Sequence, residues 1–165
     1  MNTLIRDHLA ATYFAEYQHL RNELVDMLRD DDLAFRPSPA TFTLGELCRE
    51  IGEIEHSYVD ALKTFRQDFD GRNADRDVER SVAALSAWFA DLDRSLLAAI
   101  EGLTDDDVTN RRISRDDVDV EGFSPLAAQE LDIYREALLI FYAKVSIYLR
   151  AMGKDLPGHW SVWIG

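Results

Sequence analysis

Two segments of the chain place a glutamate three residues before a histidine, a spacing that can bind metal. They are Glu16 with His19 and Glu53 with His56. On a helix such a pair shares one face, and di-iron bundles combine two of these motifs with further glutamates from other helices. However, His56 projects almost opposite the apolar stripe of its segment, and residues 80–100 contain no glutamate. The pattern therefore favours two solvated helix faces over a di-iron centre.

Three carboxylates near apolar stripes are candidates for proton transfer. Glu16 projects among the apolar residues of the first helical segment, so we expect it on or beside the buried stripe, where a carboxylate needs a partner. An ion pair or a bond to a tyrosine hydroxyl explains it better than catalysis. Glu50 and Glu55 flank the apolar stripe of the second segment on opposite sides. Either could reach a pocket, but flanking carboxylates usually face solvent.

An acidic run between the last two helical segments resembles the first half of a calcium loop. It places Asp117, Asp119 and Glu121 at alternate positions before Gly122. The bidentate glutamate of an EF-hand belongs at the twelfth position, which is Ala128 here. We therefore interpret the run as an acidic loop without a specific ion.

The remaining composition excludes several function classes. The single Cys48 cannot form an internal disulfide, and its place at the edge of an apolar stripe is typical of a small buried residue. A net charge of -13 repels phosphate backbones and anionic membranes. No apolar run approaches the length of about 20 residues that a bilayer requires. We expect a cytoplasmic protein with no metal or other cofactor, and with neither nucleic acid nor membrane as a partner.

Four amphipathic segments must position these side chains. Apolar residues recur at helical spacing over residues 3–29, 44–69, 78–101 and 124–150. Thr43 and Glu46 form a capping box at the start of the second segment. Ser124 and Pro125 open the fourth segment, which closes at Gly153. The pattern predicts an all-α four-helix bundle that forms a single domain over residues 1–165.

The fourth segment presents an inward face without an obvious catalytic group. Its stripe contains no His, Cys, Asp or Glu and consists of Leu131, Tyr134, Leu138, Phe141, Val145, Tyr148 and Met152. Residues 104–123 before it are either a short hairpin or an irregular loop. Residues 156–165 after it carry Trp160 and Trp163, whose indoles should pack onto the bundle or onto a second subunit.

Two stretches resemble the DinB/YfiT-like superfamily of bacterial four-helix bundles. Residues 33–51, LAFRPSPATFTLGELCREI, are similar to the family's leucine, aromatic and Arg-Pro pattern followed by a capped helix beginning Leu-Gly-Glu-Leu. Residues 141–153, FYAKVSIYLRAMG, resemble its His-Arg-Gly-Gln-Leu followed by Tyr-Leu-Arg and a terminal glycine. The resemblance follows helix order over most of the chain and implies the DinB-like bundle.

The resemblance also implies where a metal would be bound. Many members hold a divalent metal through three histidines, whose positions correspond here to Glu50, Ala137 and Phe141. Glu50 could bind zinc or nickel, but methyl and phenyl groups donate no electron pair. The chain is therefore expected to lack the usual three-histidine site. The transferase or isomerase chemistry of metal-bearing relatives, some of which use low-molecular-weight thiols, does not carry over directly.

Three hypotheses about function stay open at this point. The first is a metal-free binding or interaction module, which forms a homodimer or takes a small-molecule ligand through the fourth helix and the tryptophan tail. The second is a metal-dependent transferase, with or without a thiol cofactor, whose displaced site uses Glu50. The third is a metal-free enzyme that uses Glu16 or Glu50 as a base beside Tyr134. Together with Ala137 and Phe141, these residues form the candidate pocket.

Overall fold

The computed structural model describes residues 16–115 and 122–163 and confirms the all-α class. A π-helical turn over residues 16–18 leads into the first helix. The helices are α1 (His19–Met27), α2 (Asp30–Leu33), α3 (Leu44–Thr64), α4 (Val82–Glu101), α5 (Asp105–Thr109), α6 (Ala127–Ala151) and α7 (Trp160–Trp163). Two short strands are β1 (Arg66–Gln67) and β2 (Ser114–Arg115).

The helices α1, α3, α4 and α6 form the predicted bundle. Helix α3 packs against both α4 and α6, and α1 packs against α4. The predicted stripe of α6 is buried except for the half-buried Met152, and the stripes of α3 and α4 face it across one continuous core. Burial of these apolar faces supplies most of the stability of such helices, since intrinsic helix propensity is weak.

Helix α3 begins where the sequence predicts and ends earlier. Thr43 Oγ1 accepts a hydrogen bond from the Glu46 amide at 3.1 Å, and the Glu46 carboxylate accepts one from the Thr43 amide at 2.7 Å. The expected continuation to residue 69 is wrong, because Phe65 adopts a left-handed conformation with φ of 60°. Its carbonyl accepts the Ser114 amide at 2.9 Å, and the chain then enters β1.

Residues 104–115 form neither of the two structures expected for them. Thr104 caps the short helix α5, and β2 then pairs in parallel with β1, with Arg66 opposite Ser114. A parallel pair cannot be a hairpin, because a hairpin joins antiparallel strands. The candidate calcium run at 117–121 lies outside the described residues.

Two other helices begin later than their apolar patterns predict. Helix α4 begins at Val82 behind the Ser81 cap, because residues 76–79 form a separate 3₁₀ turn. Helix α6 begins at Ala127, since the Ile113 amide bonds the Pro125 carbonyl at 2.8 Å and holds that segment extended. The close at Gly153, with φ of 72°, is as predicted.

The first turn of α3 lies against the backbone of the 3₁₀ turn, which gives a stability prediction. A Cβ atom at Gly45 would lie 2.0 Å from the Glu79 carbonyl oxygen. Because a backbone oxygen cannot rotate away, we expect Gly45→Ala to lower the free energy of unfolding by about 1–3 kcal/mol, measured by urea denaturation. Gly158→Ala is the matched control, since nothing lies within 4 Å of its Cβ position. Equal stability of the two variants would contradict this packing.

Candidate functional site

Three of the five predicted pocket residues line one groove between α3 and α6. Glu50 comes from α3, and Ala137 and Phe141 come from α6. The groove has a volume of about 170 Å³, and its other lining residues are Leu47, Ile51, Ile54, Ile140 and Lys144. Glu50 Oε2 lies 3.9 Å from Lys144 Nζ, so an acidic and a basic side chain flank an otherwise apolar surface.

The other two predicted pocket residues lie elsewhere. Glu16 is exposed, so its expected place on the buried stripe is wrong. The reason is the π-helical turn, in which each residue advances by less than the 100° that the projection assumes. Tyr134 is buried in the bundle interior, where its hydroxyl accepts a hydrogen bond from Gln18 Nε2 at 3.4 Å. Neither residue lines the groove.

A buried charged network occupies the centre of the bundle. The guanidinium of Arg21 donates to the Glu55 carboxylate and, through Nη2, to Asp93 Oδ1 at 2.5 Å. Gln18 Nε2 donates to Glu55 Oε1 at 3.2 Å, and Phe89 lies under the guanidinium at 4.1 Å. The expectation that Glu55 faces solvent is wrong, because α1 and α4 bring a cation and a second carboxylate to its side of α3.

The electrostatics of the network hold positive charge on Arg21 and favour proton retention by its partners. Burial, the largest single effect, lowers the pKa of Arg21, but the combined attraction of Glu55, Asp93 and two neighbouring tyrosines outweighs it, and the net pKa lies above the ordinary value. Burial raises the pKa of both Glu55 and Asp93, although Arg21 opposes that shift. One guanidinium thus serves two carboxyl groups. The network ties three helices together, and its central pair, Arg21 and Glu55, has no solvent contact, while the Asp93 side chain is 20% exposed.

The C-terminal tail packs Trp160 onto the bundle, which is one of the two arrangements that the sequence predicts. Trp160 is fully buried and donates its indole N–H to the Leu20 carbonyl at 2.9 Å. Its ring meets that of Tyr142 edge-on at 4.9 Å. The Tyr142 hydroxyl in turn donates to the Tyr17 carbonyl. The side chain of Trp163 lies outside the described residues.

Two other sequence interpretations have clear outcomes. Cys48 is fully buried, as expected, and burial raises the pKa of its thiol to about 12, so it is not a nucleophile at neutral pH. The expected absence of acidic side chains from the inward face of α6 is wrong at Glu130, which is fully buried with Arg115 Nη1 at 3.8 Å from its carboxylate.

The Glu-x-x-His pairs do not converge on a common site. His56 is exposed, as its projection predicts, and Glu53 interacts with Arg49 and Arg72 at 3.5 and 3.8 Å. His19 is also exposed, but its neighbour is Glu23, one turn further along α1, at 3.4 Å. The interpretation of two solvated faces therefore holds for both histidines, while Glu53 is largely covered by its arginines.

A cluster that sequence reasoning missed lies where α1 meets the tail. His19, Glu23 and His159 place their potential ligand atoms within 4.8 Å of one another. His159 Nδ1 lies 2.6 Å from Glu23 Oε1, and the two imidazole rings meet edge-on at 5.2 Å. The available signal was the spacing of His19 and Glu23 on one helical face; no short motif marks His159.

Comparison with known proteins identifies the class. Residues 13–131 match the family model of the DinB superfamily, which is more than half of the chain. This protein is therefore a DinB-like helical bundle and belongs to the DinB superfamily. It is similar to the crystal structure of the DinB-like protein YjoA from Bacillus subtilis, at a TM-score of 0.67 and 17% identity, over 89% of this chain and 94% of that one. At this identity the likeness concerns the fold. No curated protein matches the chain.

The groove does not fit the metal that the family resemblance implies. At the three positions equated with histidine ligands, Ala137 and Phe141 offer only carbon atoms, and Glu50 interacts with Lys144. A single carboxylate does not hold a transition metal in water, because such sites need several N, O or S ligands. We therefore derive no reaction through a metal at this crossing.

Within residues 16–115 and 122–163, no helix is both long and apolar enough to cross a bilayer.

Proposed function

We propose that this DinB-superfamily chain is an interaction module whose α3–α6 groove works without a metal and whose partner is a second copy of the chain. The observation that carries this proposal is an exposed apolar strip on α6. Ile140 is 57% exposed and Ile147 is 62% exposed, two helical turns apart on the same face. Aligned apolar side chains of this size are typical of contact surfaces.

The groove beside the strip has the character that a two-fold interface needs. In such an interface the same patch meets itself, so it must be self-complementary. Glu50 on α3 and Lys144 on α6 both line the apolar groove and lie 3.9 Å apart, so each copy brings one acidic and one basic side chain to the contact. After a two-fold rotation, Glu50 of one copy can pair with Lys144 of the other while the isoleucines pack together.

The net charge of -13 gives this association a distinctive salt dependence. Two copies of like charge repel each other at long range, and salt screens that repulsion with a Debye length of about 10 Å at 0.1 M. Apolar contacts are not weakened by moderate salt. Self-association should therefore become stronger as salt rises, in contrast to an interface held mainly by ion pairs.

The double variant Ile140→Asp/Ile147→Asp tests the interface. Each isoleucine contributes about 1.5–3 kcal/mol when buried, so removing both should raise the dimer dissociation constant by more than about a hundredfold. Sedimentation equilibrium at several salt concentrations gives that constant. Val162→Asp is the control, because Val162 is 82% exposed on α7 and the substitution introduces a negative charge there, one fewer than the double variant adds.

A wild-type chain that stays monomeric at high concentration and salt would refute the homodimer. Dissociation by Val162→Asp as well would move the contact to the tail, the other surface that the sequence suggested. We propose in addition that the protein acts in the cytoplasm as one domain over residues 1–165, and that its acidic surface excludes nucleic acid and membranes as partners.

The alternative function is a metal-dependent transferase with a displaced site that includes Glu50. Elemental analysis of the purified chain separates it from the interaction module. Stoichiometric zinc, nickel or iron that is lost on Glu50→Ala would favour the transferase. Metal that persists in Glu50→Ala cannot belong to the groove.

A further inference from the structure

We propose that His19, Glu23 and His159 form a binding site for a divalent transition-metal ion such as Zn²⁺, which fastens the C-terminal segment to α1. The two ligands on α1 are one turn apart, with His19 Nε2 at 3.4 Å from Glu23 Oε1. The third comes from the far end of the chain, with His159 Nδ1 at 2.6 Å from the same oxygen. This site does not depend on the proposed dimer.

The donor set suits zinc in number, type and spacing. Two imidazoles and one carboxylate with an open fourth position are an established zinc set, with bonds of about 2.0–2.2 Å. In a tetrahedral site with such bonds, neighbouring ligand atoms lie about 3.4 Å apart. The three atoms here are within 4.8 Å of one another, so rotation of exposed imidazoles suffices to close the site.

The carboxylate at the centre of the cluster has unused capacity. Glu23 Oε2 is buried and has no hydrogen-bond partner among the described residues. A buried carboxylate oxygen without a partner is energetically unfavourable, because it has lost water without replacement. A cation bound at Glu23 stabilises both carboxylate oxygens, because it either coordinates an oxygen or attracts the negative charge that the two oxygens share.

The neighbouring Trp160 places His159 before any ion arrives. Its buried indole is hydrogen-bonded to the Leu20 carbonyl of α1 at 2.9 Å. Because His159 precedes this anchor directly, little of the tail has to be ordered when the ion binds, and binding is stronger when the ligands are held in advance.

His56 provides the internal comparison. It is an exposed helical histidine with Asp60 one turn further along, at 3.5 Å, and so repeats the pair of His19 and Glu23. The two pairs differ in their third ligand, since only the cluster on α1 is joined by another histidine among the described residues. If three ligands are needed, zinc should bind the cluster on α1 and should not bind the pair of His56 and Asp60.

The experiment is a calorimetric titration of the full chain with zinc in excess Mg²⁺. The chain carries no polyhistidine tag, because a tag would bind zinc itself. Magnesium occupies the oxygen-only sites that a chain this acidic offers. We expect one Zn²⁺ per chain, at least about tenfold weaker binding in His159→Ala and in Glu23→Gln, and unchanged binding in His56→Ala. Zinc at a hundredfold excess over the dissociation constant should raise the melting temperature of the wild type by about 5–10 °C. It should raise that of His159→Ala by no more than about half as much, because this variant binds the ion at least about tenfold more weakly.

Three results would overturn the site. The first is equal zinc affinity in the wild type and His159→Ala. The second is an equal loss in His56→Ala, which would mean that any helical pair of histidine and carboxylate holds the ion. The third is binding without thermal stabilisation, which would mean that the unfolded chain binds zinc as well as the folded chain does, so that no folded site holds the ion. His159 is exposed, so its substitution should leave the fold intact, and circular dichroism checks this. Failure of dimerisation has no bearing on any of these outcomes.

Discussion

Replacing Arg21 by methionine is expected to lower the free energy of unfolding by about 3–5 kcal/mol. The variant leaves Glu55 fully buried without its cation, and it leaves Asp93 without its 2.5 Å donor. The methionine retains much of the packing against Phe89, so the loss reports mainly the charge. Urea denaturation with a fitted slope measures it.

Two further variants separate the charge effect from general damage. In Arg21→Met/Glu55→Leu both fully buried partners are replaced by apolar groups, and we expect this variant to be more stable than Arg21→Met alone, because the fully buried unpaired carboxyl group of Glu55 is gone. Arg94→Met removes an exposed arginine that pairs with Asp91, and should change stability by no more than about 1 kcal/mol. If Arg21→Met and Arg94→Met lose the same amount, the central network contributes nothing beyond a surface pair.

The pH dependence of the loss has a definite sign. Burial raises the pKa of Glu55 in the folded protein, and removal of Arg21 takes away the main opposing effect. A folded-state pKa above the unfolded value means that the native state binds the extra proton, so stability is lost as pH rises through the folded pKa. The difference in free energy of unfolding between wild type and Arg21→Met should therefore become smaller as the pH is lowered from about 8 to about 5. A deficit that grows toward low pH would contradict the assignment.

The apolar periodicity predicted the bundle because it reports which side of each helix is buried. The stripes of α3, α4 and α6 follow it closely. It could not predict where α3 ends, since Phe65 leaves the helix to meet β2, a contact with residues almost fifty positions away. Likewise, the pattern places Glu55 at the edge of the apolar stripe of α3 but does not predict its contact with Arg21, which lies on α1.

The candidate sites differ in the same way. The resemblance placed Glu50, Ala137 and Phe141 at one helix crossing, and the structure brings those three to one groove because the crossing belongs to the fold. The cluster of His19, Glu23 and His159 belongs to this chain's own tail. A separation of 136 residues between Glu23 and His159 leaves no short motif that a single sequence can reveal.

The tail itself should contribute strongly to stability through one side chain. We expect Trp160→Ala to lower the free energy of unfolding by about 3–5 kcal/mol, because it empties a fully buried site against Tyr142 and leaves the Leu20 carbonyl without its indole donor. Val162→Ala, in the same segment but exposed, should stay within about 0.5 kcal/mol. Thermal and urea denaturation with matched slopes provide the comparison.

A truncation then decides whether the indole acts alone. Among residues 158–162, Trp160 is the only buried side chain, so a chain ended after residue 157 should lose no more than about 1 kcal/mol beyond Trp160→Ala. The Lys154 ammonium, 2.9 Å from Asp32, is kept in that truncated chain, so the next attachment of the tail is not disturbed. A much larger loss would mean that the segment stabilises the bundle through contacts other than the indole. A loss near zero in both variants would mean that the indole leaves its site without consequence, and the tail could not then hold His159 beside α1.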